Sequence, residues 1–269
     1  MNISIVGIVA ILLYLATGLL LALRLSHATT TRPSKLGLIA MGLIATGLHA
    51  SVLHSAISTP EGLNLGFFNA TSLVGWFIAL LLLLTALAKP VENLGIGLLP
   101  LAALTLLLSA IFPSRHLMLT DGVFTGLDAH ILISILAYSL LGIAAVQALL
   151  LAIQDSHLRD RHPGGFMRGL PPLQTMEDML FQIISIGFAL LSLALLSGLL
   201  FLDNIFAQHL VHKTLLSLLA WVVFATLLWG RWRFGWRGRT AIRWTLSGFF
   251  VLMLAYTGTK LVLEVMLGR

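Results

Sequence analysis

Long apolar runs alternate with short polar connectors along the whole chain, and eight of the runs are close to twenty residues long, near 3–23, 37–57, 69–88, 94–112, 130–153, 179–202, 214–230 and 242–263. A helix rises about 1.5 Å per residue, so about 20 apolar residues are needed to cross a hydrocarbon core roughly 30 Å thick. Each run therefore predicts a transmembrane helix. The longest connector, DSHLRDRHPGGFMRGLPPLQTMED, is rich in Gly, Pro and charge and reads as a surface loop. Its end, Thr175 to Asp178, fits a capping box that opens the sixth span. The first run begins MNISIVG, without a basic leader or a small-residue cleavage site, which predicts a retained span rather than a removable signal peptide. The fold expected is all-α and polytopic, with about eight spans in one transmembrane domain over 1–269 and no soluble domain.

Composition sharpens this. Of 269 residues 58% are hydrophobic and 10% charged, and the mean hydropathy is +1.00, against about 25% charged residues in soluble domains. That excludes a soluble fold. The formal net charge of +6 does not point to nucleic acid, because the basic residues sit in clusters between apolar runs rather than along one polar surface. They set topology instead. Twelve of the sixteen Lys and Arg residues fall in alternate connectors: Arg24, Arg32, Lys35, Lys89, Arg159, Arg161, Arg168, Arg231, Arg233, Arg237, Arg239 and Arg243. Only Arg115, Lys213, Lys260 and Arg269 fall on the other side, so the positive-inside rule puts both termini on the outer face, the periplasm of a bacterium. With no cysteine, disulfides, thiolate metal sites and cysteine nucleophiles are excluded.

Histidine is then the main soft ligand. His49, His54, His116, His130, His209 and His212 fall on or near the outer side, whereas His27, His157 and His162 fall in cytoplasmic connectors. Loop histidines such as His116 are ordinarily just solvated. An ionisable group inside a span needs a partner or a function. His49 stands deepest, roughly 12 Å from the outer end of its span at 1.5 Å per residue. His54, five residues on, is turned about 140° from it, so the two serve different roles. His130 opens the fifth span in LDAHILISILAYSLL, where it either enters the bundle or caps a helix at the interface. His209 and His212 share a helical face in IFAQHLVHKTLL, a spacing that suits a metal or porphyrin edge and is also common by chance. No HExxH, nucleophile elbow or P-loop is present. In-span carboxylates are too few for a proton pump or an ion-coupled transporter, Lys260 and Glu264 being the main charges there. Outer-face histidines without thiols suit haem, whose iron takes axial imidazoles while the ring packs on apolar walls. Phe67, Phe68 and Trp76 in the outer loop EGLNLGFFNATSLVGW and Tyr138 and Tyr256 offer aromatic contacts, or form an ordinary interfacial belt.

Four stretches carry a family resemblance: LHASVLH; AHILISILAYSLL; LPPLQTMEDMLFQIISIGFALLSLALLSG; and HKTLLSLLAWVVFATLLWGRWRFGWRGRTAIRWTLSGFFVLMLAYTG. The chain resembles cytochrome c assembly proteins of the CcsA and CcmC type, and among them the YpjD-like inner-membrane subgroup. The resemblance implies haem b held by histidines and handled at the outer face, in the bacterial inner membrane, with apocytochrome or other maturation proteins as partners. It implies His49 as the intramembrane histidine, His130 as the outer one, Lys213 with Trp221 as the end of the haem segment, and His209 and His212 in the place of the tryptophan-rich loop. Here that loop reads FLDNIFAQHLVHKTLL, with no tryptophan, and AYTGTKLVLEVMLGR holds no second outer histidine. The function expected is non-enzymatic haem handling in cytochrome c biogenesis through His49, His130, His212, His209 and His54, with His49 and His130 on the iron. The alternative is a non-haem structural or regulatory subunit of another membrane protein.

Overall fold

The computed structural model describes residues 4–26, 33–59, 62–112, 117–118, 126–159, 170–201 and 208–258. Helices dominate: α1 Ile5–Ser26, α2 Lys35–Ile57, α3 Phe67–Ala88, α4 Gly95–Ile111, α5 Gly126–Arg159, α6 Leu173–Phe201, α7 Gln208–Phe234 and α8 Gly238–Met253, which runs on through a π turn, Leu254–Gly258. The fold is all-α and polytopic. Among the described residues, seven helices are long and apolar enough to cross a membrane. The helices fall into two compact units, Met1–Gly122 with Pro163–Pro171, and Val123–His162 with Pro172–Arg269.

In the first unit α1 packs against α2 and α4, and α3 packs against α2 and α4. Ser34 caps α2 by accepting from the Gly37 N–H at 3.0 Å. Lys35 beside it pairs with Glu92 at 3.1 Å and donates to the Lys89 carbonyl at 3.3 Å, tying the start of α2 to the α3–α4 connector. The other end carries a small antiparallel sheet, β1 Ser58–Thr59, β2 Gly62–Asn64 and β3 Leu117–Met118, in the order β1-β2-β3 with Leu63 opposite both Ser58 and Met118. Asn69, buried, donates to the Ala56 and Asn64 carbonyls and fixes that hairpin to α3. The aromatic residues expected in a loop here are helical. α3 begins at Phe67, Phe68 stacks on Phe112, and Trp76 Nε1 donates to the Thr46 carbonyl at 2.9 Å.

In the second unit α5 and α6 form a long antiparallel pair. His130 meets Ser197, Leu141 meets Gly187, and the Gln147 side chain donates to the Met176 carbonyl at 3.0 Å. α8 packs against α5 and α7, turning back through Gly235 and Gly238, both at positive φ (67° and 53°), where a side chain would be strained. One end of this unit is an ionic clasp. The buried Glu177 carboxylate accepts from the Gly238 N–H at 2.7 Å and from Arg237 at 3.3 Å, while Arg231 pairs with Asp178 at 3.1 Å and Arg239 with Asp155 at 3.3 Å. The expected capping box is not formed. α6 begins two residues earlier, so Thr175 and Asp178 lie inside the helix, and Asp178 answers Arg231 instead of a backbone N–H.

Candidate functional site

The two histidines placed inside spans by the sequence belong to different units, and their surroundings differ in kind. His49 is wholly buried with Tyr14, Thr46 and Ser72, contributed by α1, α2 and α3. Proton bookkeeping assigns every bond. The Thr46 hydroxyl donates to the Gly42 carbonyl at 2.9 Å, so Tyr14 must be the donor to Thr46 at 3.2 Å. Tyr14 oxygen then accepts from His49 Nδ1 at 3.3 Å, and Ser72 Oγ at 2.9 Å donates to Nε2. His49 is thus a neutral Nδ1–H imidazole with both nitrogens engaged, its ring edge-on to Tyr14 at 5.8 Å. This is how a polar cluster survives in a hydrocarbon-spanning bundle: each donor has an acceptor, and no group is left to bear its desolvation alone.

His130 stands in the first turns of α5, and its ring lies on the bare backbone of Gly198 in α6, where a Cβ would approach Cε1 to 3.1 Å. Nδ1 lies 3.0 Å from Ser197 Oγ. That hydroxyl donates to the Ala194 carbonyl at 3.0 Å, so it can only accept from the ring. His130 therefore donates from Nδ1 to Ser197, and the Ala194 backbone is a further hydrogen-bond partner of the ring. A histidine oriented through an Nδ1–H hydrogen bond has the arrangement that metal-ligating histidines adopt.

That ring lines a cavity of about 360 Å³ between α5, α6, α7, α8 and the π turn. Leu191, Leu195 and Leu252 supply apolar wall, and Ser134, Thr214 and Ser217 add hydroxyls. Tyr138 and Tyr256 lie at 5.3 Å from each other on another side, and Lys213 brings an ammonium. The cavity lies where α5 and α7 begin and α6 and α8 end, opposite the ionic clasp. Chemically it can hold a flat apolar ligand, present one imidazole to it and meet an acidic group with Lys213.

The other histidines divide plainly. His54 is exposed, with Ser58 Oγ 3.4 Å from Nδ1, and lines no described cavity. His157 is exposed beyond the apolar part of α5. His209 and His212 lie on the backbone of α7, with His212 next to Lys213, but their side chains lie outside the described residues, as do His27, His116, His162, Lys260 and Glu264. Among the described residues no three His, Asp or Glu side chains gather in a metal-binding group. Sequence reasoning missed Tyr14, Ser72, Ser197 and Gly198. A Ser-Gly pair in an apolar run marks close approach of helices in a membrane, and Tyr14 stands alone as a polar ring mid-span, so both signals were there to read.

Compared with known proteins, the chain matches the family model described as Cytochrome C assembly protein over residues 36–267. It is similar to Inner membrane protein YpjD of Escherichia coli (strain K12), 35% identical over 206 residues, which is 75% of this chain and 76% of that protein. An uncharacterised 28.8 kDa protein of Azospirillum brasilense is 37% identical over 144 residues, 53% of each chain. Cytochrome c biogenesis protein CcsA of Trichormus variabilis is 30% identical over 91 residues, 33% of this chain and 26% of that protein. No solved structure matches. The membrane-crossing helices and the inner-membrane relative make this a multi-pass protein of the bacterial inner membrane.

Proposed function

The chain belongs to the cytochrome c assembly protein family, and on that premise we propose that it is a non-enzymatic haem-handling protein of cytochrome c biogenesis, with His130 as the residue that takes the iron. The observation that carries the reading is the His130 cavity: an imidazole fixed by Ser197 in an apolar chamber that also holds a lysine. Haem b, when bound, supplies an iron that accepts axial imidazoles and a flat ring edged by two acid groups. Ser197 holds the imidazole of His130 in the Nδ1–H tautomer and fixes its plane. Leu191, Leu195 and Leu252 would keep water from such a ligand, and Lys213 would offset its acidic charge. His212 and His209, beside Lys213 in sequence, are the candidates for a second axial position.

The family setting extends the proposal to eight spans with α8 as the last, and to both termini on the periplasmic side, so that the cavity opens in the outer half of the bilayer. The ionic clasp, with Arg231, Arg237 and Arg239, then faces the cytoplasm as the positive-inside rule requires. Apocytochrome or other maturation proteins are the partners this implies.

A second reading, a non-haem structural or regulatory subunit, draws on His49, whose nitrogens are both bound within the protein. Absorption spectroscopy separates the two. Purified protein titrated with hemin develops a Soret band under the haem reading and none under the second.

A further inference from the structure

Of the residues that line the His130 cavity, Leu199 and Leu218 are the most exposed, more so than any of its polar groups. Leu199 on α6 and Leu218 on α7 line it while being 63% and 46% exposed, so one wall of the chamber is also lipid-facing surface. Toward the clasp end the same two helices are stitched together. Trp221 Nε1 donates to Ser192 Oγ at 2.8 Å, and the indole stacks on Phe188 with centroids 5.4 Å apart. Leu218 stands about one turn beyond this stitch on α7 and Leu199 about two turns beyond it on α6, where the helices part around the cavity. His130, Lys213, Ser134 and Thr214, which also line it, are less exposed than these leucines. A mouth meant for water-borne ligands would put its polar groups at the rim, since apolar surface facing water is unfavourable and polar surface facing lipid is costly. Here the order is reversed.

We propose that this cavity is loaded sideways from the bilayer, through the α6–α7 gap between Leu199 and Leu218, by a membrane-dissolved, flat apolar ligand whose acidic edge meets Lys213. The ligand's identity rests on the haem reading above; the route does not. An apolar ring partitions into the membrane before it meets the protein, the leucine rim presents no polar barrier to it, and the stitch at Trp221 limits how deep it travels. Lys213 and His130 then orient it edge and centre.

The full-length protein in phosphatidylcholine vesicles provides the test. Hemin pre-equilibrated in the vesicle membrane is mixed with the protein, and growth of the Soret band is followed in time. Leu199→Trp combined with Leu218→Trp, bulk placed on the two most exposed lining positions, is expected to slow loading at least ten-fold. Leu193→Trp, on the lipid-exposed surface of α6 below the gap, is expected to load at the wild-type rate. Rim variants that load as fast as wild type overturn the route. An aryl diazirine that partitions into the bilayer gives a readout independent of haem: it should label Tyr138 in the wild type and lose that labelling in the rim double variant. Labelled Leu193 with unlabelled Tyr138 overturns lateral access. Labelled Tyr138 without any Soret band leaves the route standing and removes haem as the ligand.

Discussion

At His49 both ring nitrogens are hydrogen-bonded inside a closed polar cluster, whereas the His130 ring is held by Ser197 and lines a cavity. The two histidines therefore answer differently to truncation. His49→Ala removes a fully buried ring and strands the Tyr14 oxygen and the Ser72 hydroxyl, a loss of about 2–4 kcal/mol from cavity and unpaired polar groups together. Thermal unfolding in detergent should show it as a clearly lowered midpoint, and an unchanged midpoint would mean the cluster carries no stability. Ser197→Ala does the opposite: it leaves the fold intact but frees His130 to rotate, and hemin affinity should fall about 10–100-fold, the usual effect of losing the partner that orients a metal-bound imidazole. Unchanged hemin affinity in that variant would remove Ser197 from the site. The sequence marks His49 as out of place in hydrocarbon and leaves His130 either in the bundle or capping a helix at the interface, yet it does not distinguish their surroundings. The groups that do, Ser72 and Ser197, lie 23 and 67 residues away, and only the packing of α3 and α6 brings them into contact.

Among the elements, α5, α6 and α7 run well past their apolar stretches, to 34, 29 and 27 residues. Apolar pattern finds the part of a helix inside hydrocarbon and is blind to the turns beyond it, where ion pairs hold the helix instead. Hence the helices themselves were legible, while the clasp around Glu177 was not. Its ligands come from α6 and from the α7–α8 turn some 60 residues later, and the turn's shape depends on two glycines at positive φ. The local signal at Thr175 to Asp178 pointed to a cap, and tertiary pairing with Arg231 took Asp178 for another purpose. Glu177→Ala leaves the Gly238 N–H and Arg237 without their acceptor. With Arg237 half exposed the cost is moderate, about 1–3 kcal/mol. It should appear as a lower unfolding midpoint and as new protease cleavage at the α7–α8 turn. Wild-type resistance at that turn would show that the glycines alone hold it.

On the scale of the whole molecule, membrane residence and helical class follow from composition alone, because 10% charge and a mean hydropathy of +1.00 leave no soluble alternative. Orientation is argued from where the arginines fall, and the lack of native cysteine makes it directly measurable. A single cysteine in place of Ser58, in the small sheet, should react with a membrane-impermeant maleimide in intact spheroplasts. One in place of His157, at the clasp end, should react only after the membrane is opened; the reverse pattern would invert the topology. The central claim is narrower, that this fold holds haem through His130 in the cavity of its second unit, and hemin titration of three purified proteins tests it most directly. Wild type and His49→Ala, the latter assayed below its lowered midpoint, should both develop a Soret band, and His130→Ala should lose it while remaining folded. A band that survives His130→Ala and disappears with His49→Ala would contradict the account.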